Sequence, residues 1–217
     1  MGLLPDMRPA AHVIFAALLV GLFALARWLA YPVVMARKRK HLEHPSEDVF
    51  KDPGASGVET LVAFPRLSDA PTKLISVVVP AFDERQRLPA MLDAALDYLG
   101  GRARDDPKFT FELLVVDDGS TDGTSAAVME YVARLGTDVV RLCSLHCNQG
   151  KGAATRKGML RMRGQYGLMA DADGATNIAD LGRLLERLRA VEVASAAGRF
   201  GVGVGSRAHM ESEAIAT

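Results

Sequence analysis

Three short apolar runs in this chain each end in carboxylates. The first is Ile75-Ser76-Val77-Val78-Val79-Pro80-Ala81-Phe82-Asp83-Glu84, the second Leu113-Leu114-Val115-Val116-Asp117-Asp118 and the third Tyr166 to Ala170 followed by Asp171-Ala172-Asp173. Runs of four to eight apolar residues bounded by turn formers read as buried strands. Stretches with helical spacing lie between them: Leu88, Leu92, Ala95, Leu96 and Leu99, then Ser120 to about Leu135 with a cap in Ser120–Asp122, then Lys151 to Arg163, then Ile178, Leu181, Leu184, Leu185 and Leu188. Strands are expected at Leu74–Val79, Phe111–Val116, Val139–Leu145, Tyr166–Ala170 and Phe200–Gly205. This alternation predicts an α/β fold, a mostly parallel sheet with helices on both faces. Ligands of such sheets bind outside the carboxyl ends of the strands. Acids at three strand ends therefore predict one site, suited to a metal ion and a hydrogen-bonding ligand.

The first 36 residues differ in kind. Pro9 to Ala26 holds no charged side chain, and eighteen residues at 1.5 Å rise nearly span a hydrocarbon core of about 30 Å. Arg27, Trp28 and Tyr31 suit an interface, and Arg37-Lys38-Arg39-Lys40 follows. Basic residues after the span favour a membrane anchor over a cleaved signal peptide, with the C-terminal part cytosolic. Residues 37–72 read as a basic cluster and linker, with a short strand at Thr60 to Phe64. Residues 73–217 form the remaining domain.

Composition and motifs exclude several classes. Basic and acidic side chains balance at 26 each, so no electrostatic case exists for a nucleic-acid partner. Cys143 and Cys147 lack the two further ligands that zinc requires, and read as a buried strand end and a loop thiol. No G-x-G-x-x-G follows the first strand, and Gly150-Lys151 is followed by Gly152, so neither a dinucleotide fingerprint nor a Walker A loop is present. Asp118–Gly123 lacks the bidentate Glu of a calcium loop, with Met129 in its place.

What remains is a set of candidate site residues. Asp117 or Asp118 can accept a hydrogen bond from a base or ribose, the other reading being a turn residue before the next helix. Asp83 and Glu84 either touch the ligand or terminate a strand. Asp171 and Asp173 supply hard oxygens suited to Mg²⁺ or Mn²⁺, completed by water and a diphosphate. Lys151, Arg156 and Lys157 read as a solvated basic face. The glycines flanking Lys151 single it out for a diphosphate contact.

The stretches VVVPAFDE (77–84), VVDDGSTDGT (115–124), NQGKGAATRKG (148–158), DADGAT (171–176) and VGSR (204–207) resemble the inverting nucleotide-sugar glycosyltransferases of family 2, among them those that act on a membrane lipid phosphate. The resemblance implies a GT-A-like fold that takes UDP-glucose and a divalent metal, with dolichyl phosphate in the lipid bilayer as acceptor. It implies an endoplasmic reticulum membrane protein with one transmembrane helix and a cytosolic catalytic domain. Asp117 would bind the uracil, Asp171 the ribose or metal, Asp173 the metal and diphosphate, and Arg207 the acceptor phosphate. Pro80, Asp83, Glu84, Asp118 and Lys151 would complete the donor site. The related mannose synthases can add a Gln to the metal shell where this chain has Ala175. The family normally continues with a substantial acceptor-side segment after VGSR. The expectation is thus a donor half with little of the acceptor half, binding donor but turning over weakly or not at all. Three other readings are a non-catalytic, membrane-anchored nucleotide-sugar-binding protein, a mannose synthase-like enzyme and, from Asp171–Gly174, a haloacid-dehalogenase-type phosphatase, which needs a downstream Lys and further acids.

Overall fold

The structure, a computed structural model, describes residues 20–31, 44–54, 58–194 and 202–203. Residues 20–31 form a helix, α1, whose large apolar side chains, including Leu22, Phe23, Trp28 and Leu29, are exposed. Among the described residues no helix is long and apolar enough to cross a membrane. Most of the apolar run 9–26 lies outside them, as do Arg37–Lys40 and, apart from 202–203, the expected last strand.

A second unit begins at Ser46. A 3-10 turn, Pro45–Asp48, leads into an antiparallel hairpin of β1, Val49–Asp52, and β2, Thr60–Ala63. The second of these was expected as a lone strand; the first carries a single alternation, too short to show in the sequence. Then come β3, Lys73–Ala81; α2, Leu88–Asp105; β4, Phe111–Asp117; α3, Thr124–Leu135; β5, Val140–Ser144; α4, Lys151–Met159; β6, Gly164–Met169; a 3-10 turn, Ile178–Asp180; and α5, Leu181–Ala194. Strands β3 to β6 form one parallel sheet in the order β5-β4-β3-β6.

Strand periodicity distributes one apolar run over two cores. Ile75, Val77 and Val79 of β3 and Leu113 and Val115 of β4 face a large core filled by Leu88, Leu92 and Leu99 of α2, Val128 and Val132 of α3, and Leu181 and Leu185. Val78, Leu114 and Val116 face the opposite side, where they meet Phe50, Phe64, Cys143 and Ala154. Helices thus cover both faces as expected, but the second face takes one helix and the hairpin. Helix α4 lies close against the sheet because Gly158 has no side chain: a Cβ there would collide with Val78 Cγ1 and come within 2.8 Å of Val116 Cγ2.

Two helix boundaries differ from expectation. Helix α4 stops at Met159, four residues before Arg163. Arg163 must be extended, because its carbonyl accepts the Thr72 and Lys73 N–H groups at 3.0 and 3.2 Å and its own N–H reaches Glu112 Oε1 at 2.7 Å. Helix α3 starts at Thr124 with Gly123 as N-cap, and Asp122 Oδ1 accepts the Thr124 N–H at 2.9 Å. Ser120 is committed elsewhere, as shown below.

Beneath the hairpin lies a buried ionic network. Glu112 is fully buried and accepts from Ser76 Oγ (2.5 Å), Arg163 N (2.7 Å), Arg163 Nε (2.8 Å) and Arg141 Nε (2.9 Å). Burial pushes its pKa upward, and the charges of Arg141 and Arg163 outweigh that and hold it below the usual carboxylate range. The Arg141 guanidinium sits 5.3 Å from the Phe50 ring centre and 5.2 Å from that of Phe64, which ties the hairpin to β5.

Candidate active site

The parallel register sets the carboxyl ends of the strands side by side. Ala81 pairs with Asp117, and Val78 with Met169, so Asp83, Asp118 and Asp171 follow at one edge of the sheet. After β3 the chain moves outward to β4 and β5, then returns to place β6 on the other side of β3. That reversal opens a crevice between the β3 and β6 ends. A cavity of about 310 Å³ lies there, lined among others by Pro80, Glu84, Asp118, Asn148, Lys151, Asp171 and Asp173.

Each loop around the crevice is held by a carboxylate. Asp118 is 2% exposed; its Oδ1 accepts the Gln149 N–H at 2.7 Å and its Oδ2 the Gly150 N–H at 2.8 Å. It pins the turn from which α4 starts, and so places Lys151. Gly119, at φ +76°, lets this turn approach: a Cβ there would lie 2.7 Å from the Cys147 carbonyl carbon. Asp117 is also buried but does not line the cavity; it accepts the Ser120 N–H at 2.9 Å and the Ser125 hydroxyl.

Asp83 does not line the cavity either. Its φ of +53° is the one positive value outside glycine among the described residues, a conformation Asp tolerates better than most. Its Oδ1 accepts the Thr121 N–H at 2.9 Å and its own N–H reaches Ser120 Oγ at 2.9 Å, while the N–H groups of Glu84 and Arg85 go to Thr124 Oγ1 and Asp122 Oδ2. Asp83 thus clamps the β3 loop onto the β4 loop. Glu84 does face the cavity. Its Oε1 binds Arg87 at 2.6 Å, whereas its Oε2 is buried without a hydrogen-bond partner among the described residues.

Beyond β6, Asp171 points its Oδ1 at the Lys151 ammonium, an ion pair that closes the crevice between α4 and β6. Asp173 is exposed, with Oδ1 on the Ala175 N–H at 2.9 Å. No three His, Cys, Asp or Glu side chains converge as a metal cluster among the described residues. Asp171 and Asp173 are the two carboxylates at the β6 side of the cavity, and their hard oxygens suit a divalent ion. The fit is favourable on one observation: Asp171 already receives a cationic group within the crevice.

The structure thus assembles Pro80, Glu84, Asp118, Lys151, Asp171 and Asp173 around one cavity, while Asp117 and Asp83 are not among its lining residues. Arg207 lies outside the described residues. Lys157, read as part of a solvated face, is 6% exposed and paired with Glu47; that buried acid lies more than a hundred residues away in sequence, so no local pattern could show it. Asn148 joins the lining although it was not among the expected contacts; its place in the turn immediately before α4 was the available signal.

The profile of Glycosyl transferase family 2 matches residues 76–213. The chain is similar to the dolichyl-phosphate beta-glucosyltransferase of Homo sapiens (42% identical over 204 residues, covering 94% of this chain and 61% of that protein). It is likewise similar to those of Drosophila melanogaster (42%, covering 93% and 58%) and Saccharomyces cerevisiae (32%, covering 94% and 62%). It therefore spans about three fifths of the length of these relatives. Among solved structures, Staphylococcus aureus TarS 1–349 matches with a TM-score of 0.41 at 24% identity, covering 54% of this chain and 33% of that one. The Pyrobaculum calidifontis mannosyltransferase PcManGT, solved with GDP-Man and Mn²⁺, matches with a TM-score of 0.40 at 26% identity, covering 72% and 39%.

Proposed function

The chain belongs to glycosyl transferase family 2, and from that premise we propose that it carries the donor-binding part of an enzyme that transfers glucose from UDP-glucose to dolichyl phosphate, with inversion. The observation that carries this reading is the crevice itself, which brings Glu84, Asp118, Asp171 and Asp173 together with Lys151 at the switch point of a parallel sheet. The name of the relatives, dolichyl-phosphate beta-glucosyltransferase, supports glucose as the transferred sugar and dolichyl phosphate as the acceptor.

The residues divide the work by chemistry. Glu84 Oε2 is a buried acceptor in want of a donor, and an N–H of the nucleoside supplies one. Asp118 orders the Asn148–Gly150 turn, and Lys151 brings a positive charge to the donor diphosphate at the start of α4. Asp171 and Asp173 would hold Mg²⁺ or Mn²⁺, which when bound offsets the charge developing on the departing diphosphate. The acceptor, a phosphate monoester, carries roughly −1.5 to −2 charge at pH 7. It is already an anionic nucleophile, so no side chain need remove a proton from it. The apolar run 9–26 followed by Arg37–Lys40 supports a single-pass anchor in the endoplasmic reticulum membrane with this site on the cytosolic side, near an acceptor confined to the bilayer.

The test has two readouts. UDP titrated with and without Mn²⁺ or Mg²⁺ should bind in a metal-dependent manner, and Asp173→Ala should weaken that binding about tenfold or more, a change of about 1.4 kcal/mol. Labelled UDP-glucose with a short dolichyl phosphate in detergent should give dolichyl-phosphate glucose. No UDP binding with either ion would refute the site. UDP binding without transfer would leave a nucleotide-sugar-binding protein, the non-catalytic reading.

A further inference from the structure

The donor crevice does not use the polar cluster behind α4. Its centre is Glu47, 1% exposed, in the turn before β1. Its carboxylate accepts from His146 N (3.2 Å), His146 Nδ1 (2.7 Å), Gln149 Nε2 (2.8 Å) and the Lys157 ammonium. Burial pushes the Glu47 pKa upward, but the hydrogen bonds from Lys157 and His146 outweigh it and hold the group at about 2. An ionised carboxylate only accepts hydrogen bonds, so His146 must carry its hydrogen on Nδ1. In the tautomer with that hydrogen alone, the ring's lone pair is on Nε2. That nitrogen lies 3.3 Å from the Sγ of Cys147, which is exposed.

We propose that Cys147, His146 and Glu47 form a nucleophilic thiol site, reactive towards low-molecular-weight disulfides of the glutathione type. Three groups are thereby arranged as nucleophile, base and orienting acid. His146 Nε2 takes the Cys147 proton, and Glu47 holds the resulting imidazolium through Nδ1–H. The thiolate attacks one sulfur of the disulfide R–S–S–R, a new bond forms between Cys147 Sγ and that sulfur to give the mixed disulfide, the S–S bond of the reagent breaks, and the leaving thiolate R–S⁻ recovers the proton from His146. Lys157 and Arg161, whose Nε donates to the Glu47 carbonyl at 2.8 Å, add positive charge around the carboxylate; Asp48, bound to Arg161 at 2.7 Å, is the other acid in the cluster. The Cys147 backbone is held in place by its close approach to Gly119. The second thiol supplies a contrast within the same chain: Cys143 is buried, and burial pushes it up to about 11.

The experiment reads each cysteine separately by peptide mapping after timed exposure of the full chain to iodoacetamide, and in parallel to oxidised glutathione, at pH 7. Cys147 in the native protein should react about tenfold or more faster than in the same chain unfolded in concentrated urea, and than in folded His146→Gln. Cys143 should be protected in both folded forms, which reports that His146→Gln has kept its core. A native rate equal to or below the urea rate overturns the proposal without any variant. Equal rates in the parent and in a His146→Gln protein whose Cys143 stays protected overturn it as well.

Discussion

Replacing Asp118 separates the two jobs a carboxylate can have in such a crevice. Its two oxygens each accept one backbone N–H, from Gln149 at 2.7 Å and Gly150 at 2.8 Å. Hydrogen bonds to a charged group contribute about 1.5–3 kcal/mol each, so Asp118→Ala should cost about 3–6 kcal/mol. Asp118→Asn keeps one acceptor. The Gly150 N–H retains Asn148 Oδ1 at 3.1 Å as a second partner, so the amide should turn its oxygen to Gln149 and the loss should fall to about 1.5–3 kcal/mol. Both are large against a typical domain stability of about 5–15 kcal/mol. Urea unfolding should show the midpoint falling in the order parent, Asn, Ala with an unchanged slope, and UDP affinity should fall in the same order as Lys151 loses its fixed place. An Ala variant within about 1 kcal/mol of the parent would refute the pinning argument. Weakened UDP binding at unchanged stability would make Asp118 a ligand contact instead.

Glu112→Gln should destabilise the protein by about 3–5 kcal/mol, because it leaves the buried Arg141 without its counter-charge; pairing it with Arg141→Met should recover much of that loss in a thermal melt. The Glu47 carboxyl is lowered from 4.5 to about 2 on folding, so its contribution is complete above about pH 4.5 and is lost as pH falls towards 2. Urea midpoints compared at about pH 6 and pH 3 should therefore drop less in Glu47→Gln than in the parent, and equal drops would refute the linkage.

The parallel sheet was legible because its central strands β3 and β4 are buried on both faces and read as unbroken apolar runs, whereas β6 is only partly buried. The site was legible at strand ends: Asp118 follows the buried run of β4, Asp171 follows the short run of β6, and both strands pair in parallel with β3, so the crevice had to lie beyond their ends. What the sequence does not reveal is which neighbouring acid faces the cavity. Asp117 and Asp118 are adjacent, and the choice between them depends on Ser125 and on the Gln149–Gly150 turn, partners brought up by folding. Asp83, read as either a ligand contact or a strand terminator, clamps two loops together, a role that needs Ser120 and Thr121 from the next loop. Glu47 left no trace at all, since its partners are a hundred residues downstream and its own segment reads as a polar linker.

That separation also has a consequence in time. Glu47, Phe50 and Phe64 leave the ribosome long before His146 and Lys157, the latter 110 residues after Glu47. At synthesis rates of about 5–20 residues per second, the hairpin waits about 5–20 s before α4 exists to cover it. During translation the first-made strands are thus an unpartnered apolar surface, and the step that seals them is the arrival of a helix encoded two thirds of the way along the chain.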